Sequence, residues 1–178
     1  MRRMSTYKNR IAGIAASAGL LTAGFLLSSP GEAKAEYTRN HPLSCQKVLG
    51  DGELTTSWGW SVKNETATLL CPLPDTSTLP GEDISSITVY TNDQTSAGGN
   101  FVRVQACALS RANVHLSHCG QDQSASGSGD KTLTLSTENE IGFLSDGAYS
   151  TYYPYLHVFM QSNSTVYEQR FLGYTVAS

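Results

Sequence analysis

Within the segment 101–119, FVRVQACALSRANVHLSHC, the side chains of His115, His118 and Cys119 stand close together, three soft groups of the kind that bind zinc. A closed zinc site needs a fourth ligand and a thiolate kept reduced, and the export signal described below favours oxidation of that thiol. No metal and no cofactor is expected. His157 is flanked by Leu156 and Val158 and shares a strand face with Tyr155 and Phe159. A general base needs a matched partner, and the spacing supplies none. The sequence has no G-x-S-x-G nucleophile motif. Asp51, Glu53, Asp93 and Glu140 are acids with no spacing that pairs them as a glycosidase dyad. No catalytic residue is expected from these patterns.

Aromatic side chains offer different chemistry. The apolar C–H face of a sugar stacks on an aromatic ring, and the chain has two sets of rings. Trp58 and Trp60 fall on one face of a strand, two residues apart, while Tyr149, Tyr152, Tyr153 and Tyr155 crowd the entrance to another. An alternating strand turns its large apolar residues inward, which assigns at least one tryptophan to the core. The tyrosines are surrounded by Ser150, Thr151 and Pro154, which favours exposure. Tyr149, Tyr152, Tyr153 and Trp58 are the candidate ligand-binding residues. The loop acids Asp75, Glu82, Asp83, Asp122 and Asp130 do not follow a spaced calcium motif and read as solvated side chains. Asn64-Glu65-Thr66 and Asn163-Ser164-Thr165 match the N-glycosylation pattern.

These residues must be positioned by strands. Within 101–108, Val102, Val104, Ala106 and Ala108 fall on one face with Arg103 and Gln105 on the other, a period of two that marks a half-buried strand. Residues 36–44 read as an extended lead-in, and Asp51-Gly52 as a turn. Residues 53–62 alternate as one strand, with Leu54, Thr56, Trp58, Trp60 and Val62 together, and a turn at Asn64-Glu65 returns 66–71 as its hairpin partner. Pro72, Pro74, Pro80 and Gly81 make 72–83 a loop. Residues 84–91 form a strand with Ile87 and Val89 on one face and Tyr90 opposite, followed by a polar turn over 92–100.

The Gly- and Ser-rich run 120–130 reads as a mobile surface loop, and 131–136 as a short strand with Leu133 and Leu135 inward. Ile141, Phe143 and Leu144 mark a further apolar segment. Residues 154–161 and 171–176 are the last strands, the latter alternating through Leu172, Tyr174 and Val176. No segment after residue 35 shows a helical period. Short strands separated by turn signals predict an all-β, antiparallel two-sheet β-sandwich, jelly-roll-like or immunoglobulin-like.

The first residues form an address. Residues 1–10 carry Arg2, Arg3, Lys8 and Arg10 without an acid, 11–27 are uncharged and rich in Ala, Gly and Leu, and Ala33-Lys34-Ala35 supplies a cleavage site. The apolar run is short for a membrane span. The expected organisation is a signal peptide at 1–35 and a secreted domain at 36–178, extracellular or periplasmic, with no stable membrane insertion after cleavage. Cleavage removes five of 12 basic residues and one of 15 acids, leaving seven against fourteen and a formal charge of −7. Such a balance disfavours nucleic acid, whose phosphates require clustered Lys and Arg. All four cysteines lie after residue 35, which in an exported chain predicts two disulfides. Pairing sequence neighbours gives Cys45–Cys71 and Cys107–Cys119.

The Ala33-Lys34-Ala35 junction, Cys71-Pro72 ahead of a Pro-rich loop, and Cys107 spaced from Cys119-Gly120 resemble the small exported bacterial two-disulfide all-β proteins of unknown function. That resemblance implies the fold and the export route and carries no functional residue. The reading is a secreted, non-catalytic binding or interaction domain whose partner is a glycan or a protein surface. The alternatives are a secreted hydrolase whose residues meet only in the fold, and a structural component of the cell surface.

Overall fold

The computed structural model describes residues 37–55, 59–75, 81–94, 98–110, 117–146 and 152–178. Their strands form two antiparallel six-stranded sheets. The first sheet contains β1 (Tyr37–Asn40), β3 (Glu53–Thr55), β4 (Gly59–Val62), β6 (Ser86–Asp93), β10 (Gly129–Leu135) and β12 (Gln169–Ala177). Its order is β10-β6-β12-β4-β3, and β1 pairs with the far end of β12, with Tyr37 opposite Ala177. The second contains β2 (Gln46–Gly50), β5 (Thr66–Pro72), β7 (Phe101–Ser110), β8 (Ser117–Cys119), β9 (Gln123–Ser126) and β11 (Tyr152–Gln161). Its order is β2-β5-β11-β7-β8, with β9 on the other end of β7. The two-sheet antiparallel sandwich expected from strand periodicity is the fold of this chain.

Alternation decides what each sheet buries. The inward faces place Ile87, Val89, Leu133, Leu135, Phe171 and Val176 against Leu69, Val102, Val104, Leu156, Val158 and Met160, all buried. Each such side chain contributes about 1.5–3 kcal/mol of burial free energy. Two polar contacts support this core. The Tyr174 hydroxyl on the first sheet donates to the Pro72 carbonyl on the second. Trp60 Nε1–H donates to the Pro42 carbonyl at 3.1 Å, holding the 3-10 turn Pro42–Ser44 through which the chain passes between sheets. The core tryptophan is Trp60, 8% exposed.

Both disulfides join the expected partners, and they occupy different places. Cys71 faces inward on β5 and bonds Cys45 within the core. Cys107 and Cys119 are opposite one another on β7 and β8, and the register puts them on the outer face.

Several expectations change. Glu53–Thr55 and Gly59–Val62 are two separate antiparallel strands, with Leu54 paired to Trp60 and Gly59 at φ +86°, where the alternation in the sequence runs on unbroken. The expected pairing of 53–62 with 66–71 is absent: β4 belongs to the first sheet and β5 to the second, with Asn64 at φ +55° in the crossing turn. The run 120–130 is not a loop. Most of it forms β9 and the start of β10, a corner in which Ala125 packs against the core and one strand joins each sheet. In β12 a bulge between Phe171 and Gly173 brings Phe171, Tyr174 and Val176 inward and turns Leu172 out of that row. One helical turn, α1 (Glu138–Ile141), precedes a 3-10 turn at Gly142–Ser145, capped by the reciprocal Thr137–Glu140 box.

Candidate functional site

The outer face of the second sheet is built around β11. Its inward residues are Pro154, Leu156, Val158 and Met160, so Tyr153, Tyr155, His157, Phe159 and Gln161 point outward in a row. From Tyr153 to Phe159 that row spans about 20 Å at the strand rise. Neighbouring strands complete it by register. Leu109 stands opposite Tyr153; Pro72 and Cys107 flank Tyr155; Leu70 and Gln105 flank His157; Thr68 and Arg103 flank Phe159. One end opens into a groove of about 570 Å³ lined by Gln46, Leu70, Pro72, Leu109, Tyr153 and Tyr155.

Tyr153 is 56% exposed and the other outward rings are half-buried, so their faces and edges are offered in a shallow surface. Phe159 packs on Phe101 with ring centroids 5.6 Å apart, and the Arg103 guanidinium lies 5.4 Å from the Phe159 centroid. Such cation–π contact fixes both side chains. Arg103 also approaches Asp122 at 4.0 Å, while Gln105 Nε2 donates to the Gly120 carbonyl at 2.6 Å. These contacts orient the polar flank of the aromatic row.

Burial pushes the His157 pKa below its ordinary value, and the positive charge of Arg103 adds to that. Burial raises the Tyr155 hydroxyl above its usual range, opposed by its hydrogen bond with Ser117. Both side chains are therefore neutral at pH 7. A face of neutral rings flanked by amides, with its one cation close to a carboxylate, suits an uncharged ligand with many hydroxyls. Stacking supplies contact area, and glutamine amides both donate and accept.

The predicted ligand residues divide in the fold. Tyr153 lies on this face. Tyr152 lies on the opposite side of β11, half-buried and packed against the core. Tyr149 and Trp58 fall outside the described residues, as does His115. Phe159, Leu70, Gln46 and Gln105 join the face although their types and spacing did not single them out as ligands. The signal that identifies most of the row is the period of two through Tyr153, Tyr155, His157 and Phe159, a pattern that the consecutive tyrosines obscure.

Other chemistry finds less support in the geometry. Cys119 is bonded to Cys107, and His118 packs edge-on against Phe143 with centroids 4.9 Å apart, so the zinc alternative lacks its thiolate. His157 has Leu70 and Gln105 as cross-strand neighbours and a cation nearby, the reverse of the carboxylate that orients a catalytic imidazole. Among the described residues no group of three His, Cys, Asp or Glu side chains could hold a metal ion. None of the described helices is long and apolar enough to cross a membrane.

No protein-family model matches the sequence, and no curated protein sequence does. Among solved structures the chain is similar to the CBM36-1 domain of a multidomain xylanase from the hindgut metagenome of Trinervitermes trinervoides, at 9% identity and a TM-score of 0.45, covering 80% of this chain and 98% of that one. It is also similar to a family 11 carbohydrate-binding module from Clostridium thermocellum in complex with a β-1,3-1,4-mixed-linked tetrasaccharide, at 10% identity and a TM-score of 0.34, covering 83% and 91%. At such identities no residue of either carries over to this chain.

Proposed function

We propose that the domain is an exported, non-catalytic glycan-binding module that lays a neutral saccharide along β11. The observation that supports this reading most directly is the outward row of Tyr153, Tyr155, His157 and Phe159, edged by Gln46, Gln105 and Gln161. Rings spaced along one flat strand hold successive sugar units by their apolar faces, while amides at the edges meet the equatorial hydroxyls. The leader at residues 1–35 delivers the domain to an oxidising compartment where two disulfides persist and where polysaccharides are met.

Affinity electrophoresis of the exported protein in gels containing soluble neutral polysaccharides (mixed-linkage glucan, xylan, glucomannan) tests it directly. At least one polysaccharide is expected to retard the protein. Tyr155→Ala and Phe159→Ala should each weaken that binding roughly 10-fold, the loss of about one stacking contact. Migration unaffected by every polysaccharide, or retardation unchanged in both variants, would overturn the assignment.

A further inference from the structure

A second concave surface lies on the opposite side of the molecule, on the outer face of the first sheet. It is a groove of about 510 Å³ lined by Arg39, Asn40, His41, Tyr90, Leu172 and Thr175. Its floor is made by the β12 bulge. Gly173 takes φ +120°, and a Cβ there would stand 2.7 Å from the Asn40 carbonyl, so only glycine lets β1 lie this close. The bulge also turns Leu172 out of the core row and into the groove. Such re-aiming of a side chain is what bulges do in sheets.

The wall chemistry differs from that of the β11 face. Arg39 is exposed and pairs in register with Thr175, whose hydroxyl lies 3.4 Å from that of Tyr90. Tyr90 is 40% exposed and presents a ring beside the cation. His41 accepts the Leu43 N–H through Nδ1 at 3.1 Å, which puts the proton of its neutral form on Nε2 as a donor. Three other cations of this acidic domain are engaged: Lys47 Nζ on the Gly52 carbonyl, Arg103 near Asp122, and Arg170 on Glu168 at 2.9 Å. Among the described residues no carboxylate lies within ion-pair distance of Arg39. The groove thus combines a guanidinium with no counter-ion among the described residues, an aromatic ring, hydroxyls and a short apolar wall.

We infer that this groove is a second binding site, selective for a saccharide that carries a carboxylate. The planar guanidinium of Arg39 receives the carboxylate through two parallel N–H bonds. Tyr90 and Leu172 contact the C–H face of the sugar, and Thr175 and His41 meet its hydroxyls. A peptide carboxylate would use Arg39 alike and leave the ring and hydroxyls without a role, which is why a uronate sugar fits better. This inference is independent of the neutral-glycan reading, because the two surfaces share no residue.

Calorimetric titration of the exported protein with trimers of galacturonate, glucuronate and mannuronate tests it, alongside their methyl esters and tetraglutamate. At least one uronate trimer should bind saturably. Its affinity should fall at least tenfold in Arg39→Gln, tenfold or more on esterification, and progressively with added salt, as an exposed charge pair requires. Tyr90→Ala should also weaken it, whereas Tyr155→Ala should leave it unchanged. Absence of saturable binding by all three trimers at millimolar concentration, or equal binding by Arg39→Gln, would overturn the site. Equal, Arg39-dependent binding of tetraglutamate would overturn the saccharide assignment in favour of an acidic peptide. Loss in Tyr155→Ala together with retention in Arg39→Gln would move the ligand to the β11 face.

Discussion

Glu140 holds a charge in a place where burial alone would remove it. Its side chain is in a residue only 3% exposed, and desolvation by itself raises its pKa. The Ser136 and Thr137 backbone N–H groups, at 2.8 and 2.9 Å, and the Gln123 amide more than offset that, and the carboxyl titrates at about 2. The unfolded chain binds this proton near pH 4.5 and the folded chain only near 2. The stabilisation is therefore complete above pH 4.5 and is lost as pH falls toward 2. Glu140→Gln should lower stability at neutral pH by about 2 kcal/mol, the worth of charge-assisted bonds left weakened. Urea midpoints of variant and wild type should converge between pH 4.5 and 2; a constant gap would show that the charge contributes nothing. The sequence offers Glu140 only as one acid among several. Its clamp is written in Thr137-x-x-Glu140, but the helix it caps has four residues, too few for any helical period to draw notice.

At the level of strands, periodicity reveals which side of a segment is buried and leaves open which sheet it joins. This is why the faces of 101–108 and 131–136 are legible while the pairing of 53–62 with 66–71 is not: β5 alternates as a strand of either sheet would, and β4 is buried at all four of its positions, so neither burial pattern names a partner. The Gly-Ser run at 120–130 misleads for a related reason, since its strands bury little more than Ala125 at a corner and need few large apolar residues. The bulge in β12 is invisible to a strict period of two, because it changes the phase midway. Gly173→Ala tests its importance. The left-handed backbone and the close Asn40 carbonyl together should lower stability by about 2 kcal/mol or more, read as a lower urea midpoint with an unchanged slope. An alanine tolerated without loss would mean that β1 and β12 can separate at no expense, and that the groove beside Arg39 is not fixed. The β11 row was half legible: Tyr153 stood out by type, while Phe159 needed the strand's phase, and Gln105 and Leu70 needed partners that only the fold supplies.

For the molecule as a whole, the two disulfides act on separate parts of one sandwich. Cys45–Cys71 closes 26 residues and Cys107–Cys119 closes 12. Loop-closure entropy gives about 3.5 kcal/mol for the first and about 3 kcal/mol for the second. The double variants Cys45→Ser/Cys71→Ser and Cys107→Ser/Cys119→Ser should show losses of that size in chemical denaturation, the first also opening a gap in the core. A negligible change in either pair would mean that the cross-link does not restrict the unfolded chain. The pairing of Tyr37 with Ala177 has a mechanical consequence. A pull applied at these two positions opens β1 from β12 one residue pair at a time, like a zipper, and does not shear the strands together. Tension would detach Arg39 early and dismantle its groove, and the peel would then meet the covalent stop at Cys45. The aromatic row on the other sheet would still be in place, so a domain held under load would keep the β11 face and lose the groove beside Arg39.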